Sequence, residues 1–336
     1  HFERDSGRNE APYLLGRACQ ETGDPERARQ YFEWNLSNPE MAHQVFSNYS
    51  RLAQAEGDLS RGQYESAIDE LKAVFTAGHL GPESLEYRRA LFLLGEAEYE
   101  VSLVFEAQQG KTPLALSRLF EAQRHLQEGL LRASADLPHR LRAKFFLGSI
   151  AREMNRMDDS LLPGQRRRNL EIARDAWRSV LDTAEEIDRL PLRPAPPRGR
   201  EEREVAPDAL AALTQKAGFL LADAHYEIAL ALAEHPNDPR ARQEWAAALQ
   251  VYKTAQAKYY SSAPRTDLLW ALIRMGRISA RLGQPNAAAA QLEQAQFTLD
   301  QLARAPQSLG PGASFDPKEW QTMIDEAQQS LGGVAR

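Results

Sequence analysis

The sequence predicts an all-α chain: about six helix–turn–helix hairpins in succession, closed by one terminal helix. Three observations predict it. A spacing of small residues recurs along the chain. Gly and Pro punctuate helical periods at regular intervals. No segment sustains the alternation of period two that a half-buried strand requires.

The clearest unit runs from Thr266 to Ala303. Its first helix covers Asp267 to Leu282, its second Asn286 to Ala303, and Gly283-Gln284-Pro285 stops one and starts the other. Ala288, Leu292, Ala295 and Leu299 share one face of the second helix. Gly276 lets that helix lie close against the first, with Ala288 as its small counterpart. The same spacing opens the chain. Gly16 is followed by Gly23, Ala28 and Phe32, and Asp24-Pro25 supplies an N-cap and first-turn proline. Asn38-Pro39 starts the next helix, expected to run from Pro39 to Glu56. Its partner carries Gly62, Tyr64, Ala67 and Leu71, with Ala55 in place of the crossing Gly.

Beyond Gly81-Pro82 the units lengthen. Gly95 pairs with Ala122 on helices expected over 82–109 and 112–133. Gly148 pairs with Ala173, and Ala222 with Ala248. These separations of 27, 25 and 26 residues replace the 12 of the short units. The increase amounts to about four helical turns, and extends each hairpin at its tip. Gly95 to Gly148 is 53 residues and Ala222 to Gly276 is 54, whereas Gly148 to Ala222 is 74. The excess falls on the proline- and arginine-rich stretch 190–207, expected to be an exposed, mobile loop or linker. Its Pro-x-x-Pro pairs offer an SH3-type ligand, against which stands the plainer reading of a linker. After a loop over 306–313, Asp316-Pro317-Lys318-Glu319 is a capping box opening a last helix to Leu331.

This grammar resembles the tetratricopeptide repeat, a helix–turn–helix of 34 residues, over residues 9–304. The resemblance implies a right-handed α-solenoid. One domain would span 1–336: two short repeats over 9–80, three elongated ones over 82–260 with the insertion at 190–207, a short repeat over 264–304 and a capping helix over 316–331. It also implies that first helices line a concave groove holding a peptide or helix of a protein partner. Counting from each small residue, six positions before it stand Arg89, Arg142, Lys216 and Trp270. Three before it stand Phe92, Phe145, Phe219 and Ile273; four after it stand Tyr99, Arg152, Tyr226 and Ala280. The candidate partner-binding residues are therefore Arg89, Phe92, Tyr99, Arg142, Phe145, Arg152, Lys216, Phe219, Tyr226 and Trp270. Such a row suits a partner with carboxylates and apolar anchors; the competing reading packs the rings between helices and solvates the cations. The carboxylate-clamp subfamily is disfavoured, because Glu96, Ser149 and Asp223 stand where its Asn is wanted.

Composition bounds the rest. The 336 residues are 43% hydrophobic and 26% charged, with mean hydropathy −0.54. No apolar run reaches the ~18 residues of a membrane span. The chain begins His1-Phe2 without an initiator methionine and reads as a fragment or processed product, whose full length could carry an anchor. Cys19, the single cysteine, excludes an internal disulfide and is expected to pack in a repeat core. Net charge is −6, with a basic island of +5 over 132–200. That is too weak a bias for a nucleic-acid binder, and none is expected. Arginine exceeds lysine, which hints at a bacterial source, cytoplasmic or periplasmic.

No catalytic, cofactor or metal motif is present. His225 and Glu227 diverge at i,i+2 on a helix, so His225 reads as a surface or interface residue. Glu96, Glu98 and Glu100 read as a solvated acidic face, and Arg166, Arg167 and Arg168 as solvated residues at a hairpin tip or helix start. His125 and Glu128 share a face without further signal. The expectation is a non-catalytic interaction or assembly scaffold without cofactor. The alternatives are a self-assembling envelope or coat component, a homo-oligomer among them, or a nucleic-acid-binding or enzymatic helical domain.

Overall fold

In a computed structural model, residues 6–37, 45–76, 80–132, 137–189, 207–234, 238–304 and 315–334 are described. They form thirteen helices and, among the described residues, no strand. The chain divides into two compact units, 1–160 and 161–336.

The first unit holds α1 (Ser6–Glu21), α2 (Pro25–Ser37), α3 (Val45–Ser60), α4 (Tyr64–Thr76), α5 (Leu85–Gln109), α6 (Pro113–Arg132) and α7 (Leu137–Met157). The pairs α1–α2, α3–α4 and α5–α6 pack as hairpins, and α1, α3, α5 and α7 pack each on the next as one layer. The second unit holds α8 (Pro163–Arg189), α9 (Pro207–Ala233), α10 (Pro239–Tyr259), α11 (Arg265–Arg281), α12 (Pro285–Arg304) and α13 (Pro317–Val334). Here α9 lies between α8 and α10, α11 pairs with α12, and α13 packs on both. The pairing of α7 with α8 crosses from one unit to the other and remains a sequence expectation.

The crossings follow the predicted small residues. A Cβ on Gly95 would meet Leu126 Cγ at 2.5 Å and the Ala122 carbonyl oxygen at 3.1 Å. One on Gly276 would meet Leu292 at 2.7 Å, and one on Gly16 the Phe32 ring at 2.4 Å. In each case the obstacle stands four residues after the small Ala of the second helix. Gly129 belongs to a further close approach, where the Phe92 ring would lie 2.6 Å from an added Cβ. The hairpin turns close on Gly23, Gly62, Gly110 and Gly283, all with φ between 73° and 78°, a region in which a Cβ is strained.

Elongation occurs in the helices. Past its crossing glycine, α11 continues to Arg281, whereas α5 continues from Gly95 to Gln109. One helix start differs from expectation, and another, Pro39, lies outside the described residues. Ser84 caps α5, its Oγ accepting from the Tyr87 N–H at 3.1 Å, so the helix begins at Leu85 and not at Pro82. The described part of α3 begins at Val45, and it runs on to Ser60. Asp316 caps α13, accepting from the Lys318 N–H at 2.9 Å. The insertion expected over 190–207 lies outside the described residues except Pro207, which opens α9; the loop over 306–313 also lies outside them.

The cores match this layout. In the first unit Leu52, Ala67, Leu71, Ala90, Leu94 and Ala97 unite α3, α4 and α5, and a smaller cluster of Ala28, Phe32 and Ala53 takes Tyr13 and Cys19 against it. In the second, a large cluster spans α9 to α13, while Leu170 of α8 meets Ile228, Leu232 and Ala241 in a separate small one. Among the described residues no helix is long and apolar enough to cross a membrane.

Candidate functional site: the face of the odd-numbered helices

In each unit the predicted residues lie on odd-numbered helices: α5 and α7 in the first, α9 and α11 in the second. The phenylalanines at the third position before each small residue are buried: Phe92, Phe145 and Phe219. Phe92 stacks on His139 with ring centroids 6.0 Å apart, and Phe145 meets Phe146 edge-on at 5.7 Å. Phe219 belongs to the large core of the second unit. Tyr226 is buried edge-on against Trp245 at 5.0 Å. Tyr99 and Trp270 keep partial exposure. Tyr99 leans edge-on against Phe146 at 5.5 Å. Burial pushes its hydroxyl pKa up, aided by Glu153 and Glu100, while Ser149 and Arg152 oppose the shift.

The cations are engaged across helices. Arg89 of α5 pairs with Glu56 of α3, which also receives Arg17 of α1 at 3.2 Å. Arg142 of α7 pairs with Glu96 of α5. These acids stand one residue after the small positions Ala55 and Gly95, where the carboxylate-clamp pattern wants Asn. The second unit repeats the register: Asp223, one after Ala222, accepts from the Trp270 indole N–H at 3.1 Å. Arg89, Arg142 and Trp270, each six residues before a small position, thus reach the acid of the preceding odd helix, whereas Lys216 lies near Asp267 of the following one. Tyr252, fully buried, donates its hydroxyl to the same Asp223 oxygen. Burial and this carboxylate hold its pKa well above the ordinary phenol range. Arg274 lies 4.0 Å above the Tyr226 ring and 4.5 Å from that of Trp270, a cation–π sandwich. Exposed Lys216 is near enough to Asp267 to offset part of the rise that burial gives that carboxyl.

Two groups depart from the sequence reading. Glu98 is not solvated: it is 1% exposed, and His125 Nδ1 donates to its Oε2 at 2.7 Å. Glu96 is tied to Arg142. Helical periodicity missed both because a run of acids on one helix does not reveal the His and Arg that neighbouring helices bring opposite them. His225, read as a surface or interface residue, is 3% exposed and so belongs to an interface. It hydrogen-bonds Glu244 through Nδ1, while Arg178 stands 3.0 Å from Nε2. No sequence signal linked these, since they come from three helices. Arg166, Arg167 and Arg168 lie in the first two turns of α8, as expected of a helix start.

Among the described residues one group brings three metal-ligating side chains together: Glu98, Glu121 and His125, with ligand atoms within 4.8 Å of one another. It does not fit a metal. The Arg124 guanidinium pairs with Glu121 and lies 3.1 Å from His125 Nε2, so the chain supplies its own cation. His225 has an Arg at the same ring nitrogen, which makes glutamate–histidine–arginine a recurring arrangement of this fold. Burial works against the charge of Glu244. The hydrogen bond from His225, then Arg174 and Arg178, outweigh it and lower the pKa. The stability contributed by that carboxylate is present above its unfolded value and is lost as pH falls through the lowered one.

Residues 10–33 match the tetratricopeptide repeat family model. Similar solved structures include the nuclear import adaptor Nro1 of S. pombe, at 13% identity over 95% of this chain and 98% of that one, with a TM-score of 0.46. BtubC from P. vanneervenii shares 13% identity over 94% and 98%, with a TM-score of 0.39. The apo form of RapI shares 14% over 98% and 84%, with a TM-score of 0.37. No curated protein matches the sequence. The first hairpin, with Gly16 and Ala28 at its crossing, thus matches a tetratricopeptide repeat, and the hairpins α5–α6 and α11–α12 cross on a glycine in the same way.

Proposed function

We propose that this chain is a non-catalytic protein-interaction scaffold. In each unit the odd-helix face takes a peptide or helix of a protein partner. The observation that carries this reading is the register of charge on that face. Glu56, Arg89, Glu96 and Arg142 link α3, α5 and α7 through paired opposite charges in the first unit and keep partial exposure, with buried Arg17 of α1 joining Glu56. Such pairs contribute little to stability, yet a partner with complementary charges exchanges with them at low cost. Tyr99 and Trp270, half-buried beside the row, supply apolar anchors. The remaining groove candidates, Phe92, Phe145, Phe219 and Tyr226, support the face from beneath, and Arg152 flanks Tyr99.

The test begins with peptides selected from a random display library on the purified protein. They are then remeasured against the combined Arg89→Gln, Arg142→Gln and Lys216→Gln variant. Glutamine is used because Arg89 and Arg142 face carboxylates, so that reversal to Glu would set like charges together. The expected result is a loss of affinity of about tenfold or more, largest at low ionic strength, with the helical melt retained. Unchanged affinity would remove the row from the binding surface.

A further inference from the structure

We propose that His225 is an acid-sensitive latch holding α8 onto α9 and α10. Three helices meet at its ring. From α10, Glu244 accepts the Nδ1 proton. From α8, Arg178 stands 3.0 Å from Nε2, and Arg174 binds Glu244 at 3.2 Å and Asp175 at 2.8 Å. A guanidinium only donates, so Nε2 must accept and the proton must sit on Nδ1. The contact with Arg178 is thus available only while Nε2 carries no proton.

The other charged groups around it are spoken for. Asp223, two residues earlier on α9, binds Tyr252 of α10 and Trp270 of α11, with Arg274 of α11 at 3.8 Å. Glu227 lies two residues on, on a diverging direction of the helix. Glu171 acts on Arg174 from one turn earlier in α8. A proton added at Nε2, in a site where His225 is 3% exposed, aims an N–H at the Arg178 guanidinium and sets donor against donor. Arg178 must then withdraw, and it is the α8 side of the latch.

The packing beneath α8 makes that withdrawal consequential. Leu170 joins a small cluster with Ile228, Leu232 and Ala241, separate from the large core that spans α9 to α13. Loosening α8 uncovers that cluster and leaves the rest of the unit intact. Imidazole is the side chain whose charge ordinarily changes between pH 5 and 8, whereas Glu244, its pKa lowered, stays ionised across that range.

Hydrogen–deuterium exchange tests this on the whole chain at about pH 7.5 and pH 5, corrected for intrinsic rates, with α12 as internal reference. The expected result is at least a tenfold relative acceleration of α8 amides at the lower pH. His225→Gln keeps both roles, an N–H for Glu244 and an oxygen for Arg178, but does not titrate, so its ratio should stay flat. Equal ratios in the wild type, or the same acceleration in His225→Gln, would overturn the latch. Should that variant fail to fold, ring-nitrogen chemical shifts of the wild type decide. A neutral Nδ1–H tautomer at pH 7.5 that protonates as α8 loosens upholds the proposal, and an Nε2–H tautomer ends it.

Discussion

The short hairpin α11–α12 and the elongated hairpin α5–α6 cross on the same device and differ in what lies beside it. Both set a glycine under a leucine: Gly276 under Leu292, Gly95 under Leu126. Three residues past each small position, on both helices, a polar pair bridges the hairpin. In the short one it is neutral, Ser279 Oγ donating to Gln291 Oε1 at 2.9 Å. In the long one it is Glu98 with His125, at 2.7 Å. Lengthening leaves the crossing in place and charges the joint next to it. The arm beyond the crossing is then held by ion pairs to α7, where Arg156 clasps Glu106. A hairpin that outgrows its apolar contact is secured by polar ones.

The comparison breaks most sharply at the buried pair. His125→Leu strands the Glu98 carboxylate in the interior and should cost about 3–5 kcal/mol in urea denaturation. A loss below about 1 kcal/mol would mean that Glu98 finds another partner and the joint is not charged. Next come the crossings. Gly95→Leu and Gly276→Leu should each cost at least about 1–3 kcal/mol through overpacking. Similar losses would confirm one device in two settings; a parental melting temperature for either would detach that hairpin from the shared register. The smallest effect is expected of Ser279→Ala, about 0.5–1.5 kcal/mol for one neutral hydrogen bond. A loss as large as that of His125→Leu would erase the distinction between the two joints.

Much of this was legible in the sequence because helix geometry is local. Gly16, Gly95 and Gly276 announce close crossings, since only a missing Cβ admits a leucine or phenylalanine at that distance. Gly23 and Gly283 announce turns, since only glycine adopts their φ without strain. The spacing from crossing to crossing then fixes the hairpin lengths. The same spacing placed Arg89, Arg142 and Trp270 in register with one another.

What those residues touch was settled only by tertiary structure. Register along one helix does not say which acid of a neighbouring helix stands opposite, so the links from Arg89 to Glu56, Arg142 to Glu96 and Trp270 to Asp223 were out of reach. Glu98 and His225 were misjudged or left open for a related reason. A single polar residue on an apolar helix reads the same whether it faces water or a buried partner. The choice depends on a side chain 19 to 47 residues away, Glu244 or Arg178 for His225, and only folding brings those into contact. Local stereochemistry determined the helices, their lengths and their crossings, while the pairing of buried charges was decided by the packing of helices that the sequence places far apart.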